Sequence, residues 1–444
     1  MSRQRPSTPD TAPPGAPPGT ARRVVRDWRD ALVAVLAGLL AMAVTAALGL
    51  WAAGAGDLPG GAFPHVVAAV VVMAAGGSVE LTGGAGIIAG TDARLTAMPL
   101  TVTLVGALAA GGCFLWPLRH HAVAGTGALL GRIARTAVLW LAALAVLTAL
   151  ARRSFEVAPA DSPAALIGDL LDATPTVGFR AELWPTLGLG LLWLLGVLLI
   201  ALLVSRRAPL PVRLLRHQEA VRPAAFAMLL LLLAYVGLGL VIGLVVAATR
   251  GHPAETFAVL LLGLPNVVWT ALGLGIGGSW DGKVDGPFGL PMPQLLDRVL
   301  RGERETTLDV GALAAYDARA WWLVPVAAVL LLAAAFTAAV RSPARTRPWQ
   351  HALRLGVAFA LTLLAVCPVT DLFARYGLSL LGIGEIEELG GEVALRPHTW
   401  TAAGLALLWG LVAGFLGGLL ATRVGRRGET STVPTHHRGG TAGP

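Results

Sequence analysis

Residues 64–80 read PHVVAAVVVMAAGGSVE, and residues 265–281 read PNVVWTALGLGIGGSWD. Both stretches begin with a proline in an apolar run and reach Gly-Gly-Ser after the same number of residues, without a gap. Both also place an acidic residue two positions beyond the serine. Weak self-similarity of this kind is typical of membrane proteins built from internal repeats. The match therefore predicts that one helical unit occurs twice in the chain.

A second ungapped match pairs two tryptophan-containing apolar runs, 184–193 and 400–409. The matched positions differ by 201 in the first match and by 216 in the second, so the second copy has gained residues, which we place in the polar stretch 280–320. The predicted domains are a disordered cytoplasmic tail (1–30), a first membrane repeat (31–207), a basic cytoplasmic linker (208–223), a second membrane repeat (224–427) and a disordered cytoplasmic tail (428–444).

The composition favours a bilayer environment. Apolar residues make up 55% of the 444-residue chain and charged residues only 14%, against about 25% in soluble domains. Apolar runs of roughly 15 to 25 residues recur, which is long enough to cross the hydrocarbon as helices. No set of runs shows the alternation of a membrane barrel. We predict an all-α polytopic membrane protein whose first partner is the lipid bilayer.

Arginine is dense in five segments: 1–30, 119–135, 206–222, 341–354 and 423–444. They hold 22 of the 34 Lys and Arg residues but only five of the 26 acidic ones, so charge is distributed unevenly along the chain. Basic residues beside membrane helices favour the cytoplasmic side. The pattern predicts a multi-pass plasma membrane protein with both termini in the cytoplasm. Tryptophans near helix ends predict headgroup anchors: Trp28, Trp51, Trp116, Trp184, Trp321, Trp322, Trp349 and Trp400.

Two topologies are open. If both Gly-Gly-Ser segments dip into the bilayer and return, the chain makes eight full crossings plus two re-entrant segments, and every basic segment lies inside. If both segments cross, the chain has ten transmembrane helices as 5+5. The interval from Pro64 to Gly76 spans about 18 Å of helix, which ends near mid-bilayer. The corresponding run 257–278 is long enough to cross, so the second repeat leaves the choice open.

Two acids are the main site candidates, since ionisable groups at membrane depth usually mark an ion, proton or substrate path. They are Glu80 and Asp281; the alternative is that both lie in an outer loop reached by water. The other predicted path residues are Ser78, Ser279, Gly76, Gly77, Gly277, Gly278, His65 and Asn266. For the serines the alternative role is bonding to freed backbone. For His65 and Asn266 it is a helix start after proline.

Little predicts an enzyme. Gly273, Gly275 and Gly278 fit GxGxxG, but inside an apolar run without a preceding strand the pattern favours close helix packing over dinucleotide binding. A serine nucleophile needs a base and an orienting group, and the sequence near either serine suggests neither. Cys113 and Cys367 lie in apolar runs and predict small core residues. We predict no catalytic activity, cofactor, metal or nucleic-acid partner.

The segments 76–80 and 265–280, the arginine-rich start and the Leu/Ala/Gly composition resemble those of the streptophobe family, a group of actinobacterial integral membrane proteins. The resemblance implies a membrane location and transfers no activity. The leading functional hypothesis is a permease or channel for a small solute or ion, with its site between the two repeated glycine-rich segments. The alternative is a membrane scaffold or accessory subunit that binds a protein partner through its outer loops.

Overall fold

The computed structural model describes residues 19–58, 61–85, 89–117, 126–156, 176–205, 212–285, 306–343, 346–380 and 391–423. These residues form eleven α-helices: α1 (Gly19–Ala52), α2 (Phe63–Ala74), α3 (Leu100–Leu115), α4 (Thr126–Leu150), α5 (Leu183–Val204), α6 (Val212–Thr249), α7 (Pro253–Gly275), α8 (Val310–Tyr316), α9 (Leu323–Arg341), α10 (Pro348–Val369) and α11 (Thr399–Arg423).

Eight of the described helices are long and apolar enough to cross a membrane, namely all except α2, α3 and α8. The prediction of a helical, multi-pass membrane protein is confirmed at this level. Leucine and alanine favour these helices because they lose little side-chain freedom on forming them. Two shorter apolar helices accompany the spans: α2 has 12 residues and α3 has 16.

The chain also forms eight strands within the described residues: β1 (Val79–Ala85), β2 (Ala89–Ala97), β3 (Arg152–Glu156), β4 (Thr176–Ala181), β5 (Trp280–Asp285), β6 (Thr306–Leu308), β7 (Leu372–Leu380) and β8 (Gly391–Pro397). They build one antiparallel sheet in the order β3-β4-β1-β2-β7-β8-β5-β6. The expectation that strands are absent is wrong. The long alternation of a membrane barrel is absent from the sequence because these strands have only three to nine residues.

The sheet lies at one end of the helices. Helices α2, α4, α7 and α10 run directly into it, and α3, α5 and α11 start from it. The opposite ends of α3, α4, α5, α10 and α11, where the chain continues, meet arginine-dense segments. Helix α1 runs antiparallel to α3, with Gly38 beside Ala110 and Met42 beside Gly106, so its C-terminus also points toward the sheet. We call the two ends of the bundle the sheet side and the basic side.

Each half of the chain, 31–207 and 224–427, has its own apolar core. The largest buried side chains of the first half are Met42, Phe114, Trp140, Leu144, Leu194 and Leu198. Those of the second half include Leu231, Leu272, Leu331, Phe359 and Leu363. In the second half α10 and α11 approach closely because both carry glycine at the contact: a Cβ on Gly410 would lie 2.7 Å from the Cα of Gly356.

Two predicted boundaries need correction. Residues 19–30 are not a disordered tail, because α1 begins at Gly19. Its polar start is held to α4 by ion pairs from Asp27 to Arg135 (3.1 Å) and from Asp30 to Arg132 (3.9 Å). The predicted linker 208–223 is helical from Val212 onward as the start of α6. The rest of the predicted tails, 1–18 and 428–444, lies outside the described residues.

The halves are joined at two levels. On the sheet side β2 pairs with β7 over nine residues, from Ala89 opposite Leu380 to Ala97 opposite Leu372. Below this, α7 of the second half packs against α1 and α3 of the first. The two halves differ in the segment that follows β2 and β6. In the second half α8 and a 3-10 turn, Ala318–Trp322, lie between β6 and α9, whereas in the first half only Met98 and Pro99 lie between β2 and α3.

Candidate functional site

The Gly-Gly-Ser segment of the first half terminates α2. Gly76 has φ +95°, and its N–H donates to the carbonyl of Met73 at 2.9 Å. The N–H of Gly77 donates to the carbonyl of Val72, also at 2.9 Å. This pair of bonds around a left-handed residue is the Schellman motif, which satisfies the last carbonyls of a helix. Glycine is needed at position 76 because an L side chain is strained in this conformation.

The Gly-Gly-Ser segment of the second half terminates α7 in the same way. Gly277 has φ +90° and donates to the carbonyl of Leu274 at 2.8 Å. Gly278 donates to the carbonyl of Gly273 at 2.9 Å. The matched sequences thus produce matched backbone turns.

Both turns lie inside the helical layer. An added Cβ on Gly76 would meet Leu189 of α5 at 3.2 Å, and one on Gly277 would meet Leu405 of α11 at 4.0 Å. Leu189 and Leu405 each lie six residues after the start of their helix. Six residues correspond to about 9 Å along a helix axis. In each half the chain therefore turns roughly 9 Å below the sheet-side end of the neighbouring helix, α5 or α11, and then returns to the sheet.

The serines fix the returning chain to the start of the next helix. The carbonyl of Ser78 accepts from the N–H of Glu182 (3.3 Å), and the carbonyl of Ser279 accepts from the N–H of His398 (3.1 Å). In the first half the hydroxyl of Ser78 also donates to Oε2 of Glu182 at 3.1 Å. The backbone bonds are thus made by the serine carbonyls, whereas the hydroxyl of Ser78 contacts a carboxylate and not freed backbone.

In the second half the corresponding contact involves a histidine. Nδ1 of His398 lies 2.9 Å from Oγ of Ser279, and Nε2 of His398 lies 2.6 Å from Oδ2 of Asp281. The imidazole therefore bridges a hydroxyl and a carboxylate. The His398 and Asp281 side chains remain 42% and 39% exposed, so solvent reaches the group.

The two predicted path acids are not brought together. Glu80 lies on β1 opposite Arg94 and Arg180, and Asp281 lies on β5 opposite Arg396. Three strands separate β1 from β5, which at about 4.8 Å per strand places these two strands about 19 Å apart across the sheet. Both are residues of the sheet and not of a helix in the membrane layer.

His65 and Asn266 occupy matched sequence positions but different structural ones. His65 is the third residue of α2, as predicted for a helix start, and its Nε2 lies 3.5 Å from Arg153 on β3. Asn266 lies in the interior of α7 and contacts the start of α3, so the predicted helix-start role is wrong for Asn266. The difference arises because α7 begins at Pro253, twelve residues before the matched Pro265.

Three other predictions are decided by packing. The GxGxxG glycines mediate close contacts: a Cβ on Gly275 would lie 2.6 Å from the carbonyl oxygen of Leu323, and Gly273 faces Trp280. Cys113 is half-buried and Cys367 is buried, as expected of small core residues. The eight tryptophans predicted to anchor helix ends are all at least 41% exposed. Among the described residues no group of three His, Cys, Asp or Glu side chains has the spacing of a metal site.

Sequence reasoning missed His398. A signal was available, because extending the tryptophan match upstream by two residues aligns Glu182 with His398. That alignment places a carboxylate and an imidazole at the same site in the two halves. The alignment alone does not show that His398 contacts Ser279. The strand pairing brings these two residues together, although they are 119 residues apart in the sequence.

Comparison of the chain with protein-family models, curated proteins and solved structures gives no match to any of them.

Proposed function

We propose that this protein is a membrane-embedded platform that binds a protein partner through the sheet and its connecting hairpins. The observation that carries this proposal is the continuous eight-stranded sheet, which contains four strands from each half. A helical bundle that only spanned the bilayer would need no more than short loops on this side. Strands that pair across the two halves instead form one extended sheet on a membrane-anchored base.

The charge of the hairpins supports a binding role. The connecting segments 157–175 and 381–390 contain six acidic residues and no Lys or Arg. They connect β3 to β4 and β7 to β8 along the chain. Electrostatic complementarity would then favour a partner with a basic surface, and it would contribute mainly to the association rate and to specificity.

We further propose that the two halves are copies of one unit and that α2 and α7 are re-entrant from the sheet side. The recurrence of the same turns, with Gly76 matching Gly277, supports the duplication. Because α1 ends on the sheet side and α2 runs into the sheet, α2 begins and ends there. On this reading α3 is a full crossing and α7 is not. With the basic side in the cytoplasm, both termini are cytoplasmic.

Site-specific photocrosslinking in cells tests the platform. A photoreactive residue at Thr307, which is exposed on the edge strand β6, is compared with one at Trp349, which is 52% exposed at the start of α10 on the basic side. We expect a discrete heavier species from position 307 and none of the same mass from position 349. Ser154 on β3, the opposite edge strand, serves as a second sheet position. The proposal would be contradicted by identical products from positions 307 and 349, or by the absence of a crosslinked product from both position 307 and position 154.

A second function, passage of a small solute or ion, is favoured by the two glycine turns inside the helical layer. Irregular backbone at membrane depth survives only where protein buries it or water lines it. If water lines these turns, they provide polar groups along a path toward Glu80 and Asp281. The test is proton or ion flux in proteoliposomes. A permease predicts flux that the double substitution Glu80→Gln, Asp281→Asn lowers, whereas the platform predicts no flux in either protein.

A further inference from the structure

We propose that Ser279, His398 and Asp281 form a hydrolytic site for carboxylic esters at the sheet-side membrane surface, a role separate from partner binding. The three side chains form one chain of hydrogen bonds, 2.9 Å and 2.6 Å long. They come from three different places: the turn after α7, strand β5 and the residue before α11. A weakly nucleophilic serine hydroxyl is activated when a base lies within hydrogen-bond reach of it and an acid orients that base.

The order of contacts assigns each group its role. The carboxylate of Asp281 can only accept, so in the neutral imidazole Nε2–H of His398 is the donor to Asp281 and Nδ1 is the acceptor for the Ser279 hydroxyl. Either imidazole nitrogen is a competent base when the other is held by an acceptor. Asp281 orients the ring and stabilises the imidazolium that forms when His398 takes the proton.

The turn that precedes Ser279 is exposed at one position. Gly277 is exposed, and a Cβ built there would find no atom closer than 4.0 Å. The backbone N–H of Ser279 has no acceptor among the described residues, so it is available to a developing oxyanion. Gly278, by contrast, donates its N–H to Gly273 and is already used by the turn.

The reaction balances without a cofactor. Oγ of Ser279 forms a bond to the ester carbonyl carbon while its proton passes to Nδ1 of His398. The bond from that carbon to the alcohol oxygen then breaks, and His398 returns the proton to the leaving alcohol. Water attacks the acyl-serine with His398 again as base, which releases the carboxylic acid and restores the hydroxyl of Ser279.

The position of the site indicates an ester carried by an amphiphile. Trp400 is two residues beyond His398 and is 81% exposed at the start of α11. An exposed indole at the end of a membrane helix prefers the headgroup layer. The ester groups of glycerolipids lie at about this depth, so an acyl ester in the same layer meets the serine without leaving the membrane surface.

The first half supplies an internal control. Ser78 matches Ser279 and Glu80 matches Asp281, but Glu182 stands where the second half has His398. The hydroxyl of Ser78 donates to this carboxylate, at 3.1 Å. A carboxylate at this position provides no imidazole to carry the proton back to the leaving group. Only the second half is therefore expected to react.

The test is labelling of the purified full-length protein in detergent with a fluorescent fluorophosphonate, together with hydrolysis of 4-nitrophenyl butyrate. We expect covalent labelling of the unaltered protein and of Ser78→Ala, and at least about tenfold less labelling and hydrolysis with Ser279→Ala or His398→Gln. Labelling that is absent from the unaltered protein, or that survives Ser279→Ala, would overturn the proposal. If Ser279→Ala changes the thermal unfolding of the protein, Asp281→Asn is the deciding variant. We expect Asp281→Asn to fold normally and to lose hydrolysis.

Discussion

The side-chain oxygen of Asn266 accepts a hydrogen bond from the backbone N–H of Leu100 at 3.1 Å, across 166 residues. The same carboxamide donates to the carbonyl of Met98 at 2.9 Å. One side chain of the second half thus satisfies two backbone groups at the start of α3 in the first half. Helix starts have unpaired N–H groups, and in a low-dielectric layer such groups need a partner.

Thr101 strengthens this junction by an unusual insertion. Its hydroxyl accepts from the N–H of Leu264 at 3.1 Å and donates to the carbonyl of Leu260 at 3.0 Å. These two groups would otherwise bond to each other within α7. A side chain that inserts into the helical hydrogen-bond ladder commonly accompanies a bend, and Pro265 follows directly. The contacts of Asn266 and Thr101 therefore join α7 of the second half to the start of α3 in the first half.

Replacing Asn266 by leucine is expected to destabilise the protein by about 1 to 3 kcal/mol, because it leaves the amide of Leu100 and the carbonyl of Met98 without their partner. Thr101→Val should act in the same direction. Thermal unfolding in detergent measures the effect. Thr249→Val is the matched control, since the hydroxyl of that exposed threonine donates to the carbonyl of Val245 in its own helix. Equal unfolding temperatures for Asn266→Leu and Thr249→Val would show that the junction contributes nothing.

Alanine at Gly76 or Gly277 should lower stability by about 1 to 2 kcal/mol each, since both residues have φ near +90°, where a Cβ is strained. Gly77→Ala should cost more, because its Cβ would lie 2.6 Å from Oγ1 of Thr186. Chemical or thermal unfolding in detergent measures all three changes.

Gly188→Ala provides the control for these turns. Gly188 lies within α5, and a Cβ there meets no atom within 4 Å. Alanine favours a helix over glycine by about 1 kcal/mol, so this variant should be neutral or more stable. If Gly76→Ala behaved like Gly188→Ala, the left-handed turn would not be the conformation of the protein in solution.

How far the sequence predicts this fold depends on the range of the interactions. The helices follow from local apolar runs, and the Gly-Gly-Ser turns follow from a local need for positive φ. The continuous sheet does not, because the pairing that joins its two halves is between residues such as Ala97 and Leu372, which are far apart in the chain. Strand propensity is weak outside that context.

The same distinction applies to the site. The sequence identifies Ser279 and Asp281 because they recur beside the glycines, but it assigns them to a path through the membrane. Their actual partner, His398, comes from the far end of the second half and is brought in by the pairing of β5 with β8. Local motifs locate the reactive groups, whereas the long-range pairing decides which groups meet.

Arg132 should matter more than its neighbour Arg135. The Arg132 side chain is 12% exposed, faces Asp30 at 3.9 Å and donates to the carbonyl of Phe114 at 3.0 Å. Arg132→Ala would leave that carbonyl and the half-buried Asp30 carboxylate without this partner. We expect a loss of about 2 to 4 kcal/mol in the free energy of unfolding.

Arg135→Ala is the comparison, because the pair of Arg135 and Asp27 is exposed by 26% and 50% and such pairs contribute at most about 1 kcal/mol. Unfolding midpoints in detergent at low and high salt measure both variants. The Arg135 effect should shrink at high salt and the Arg132 effect should persist. The reverse order would mean that the start of α1 is not docked on α4.

The proposed topology predicts which surfaces are accessible from outside the cell. In a protein with Cys113→Ala and Cys367→Ala, Ser154→Cys and Thr307→Cys should react with a membrane-impermeant maleimide in intact cells, because both positions are exposed on the sheet. Trp349→Cys, at the opposite end of the bundle, should react only after permeabilisation. The two sheet positions belong to different halves, so re-entrant segments, which make the halves parallel, require both to label together. If α2 and α7 crossed instead, each half would make five crossings, the halves would be inverted and only one of the two positions would label from outside.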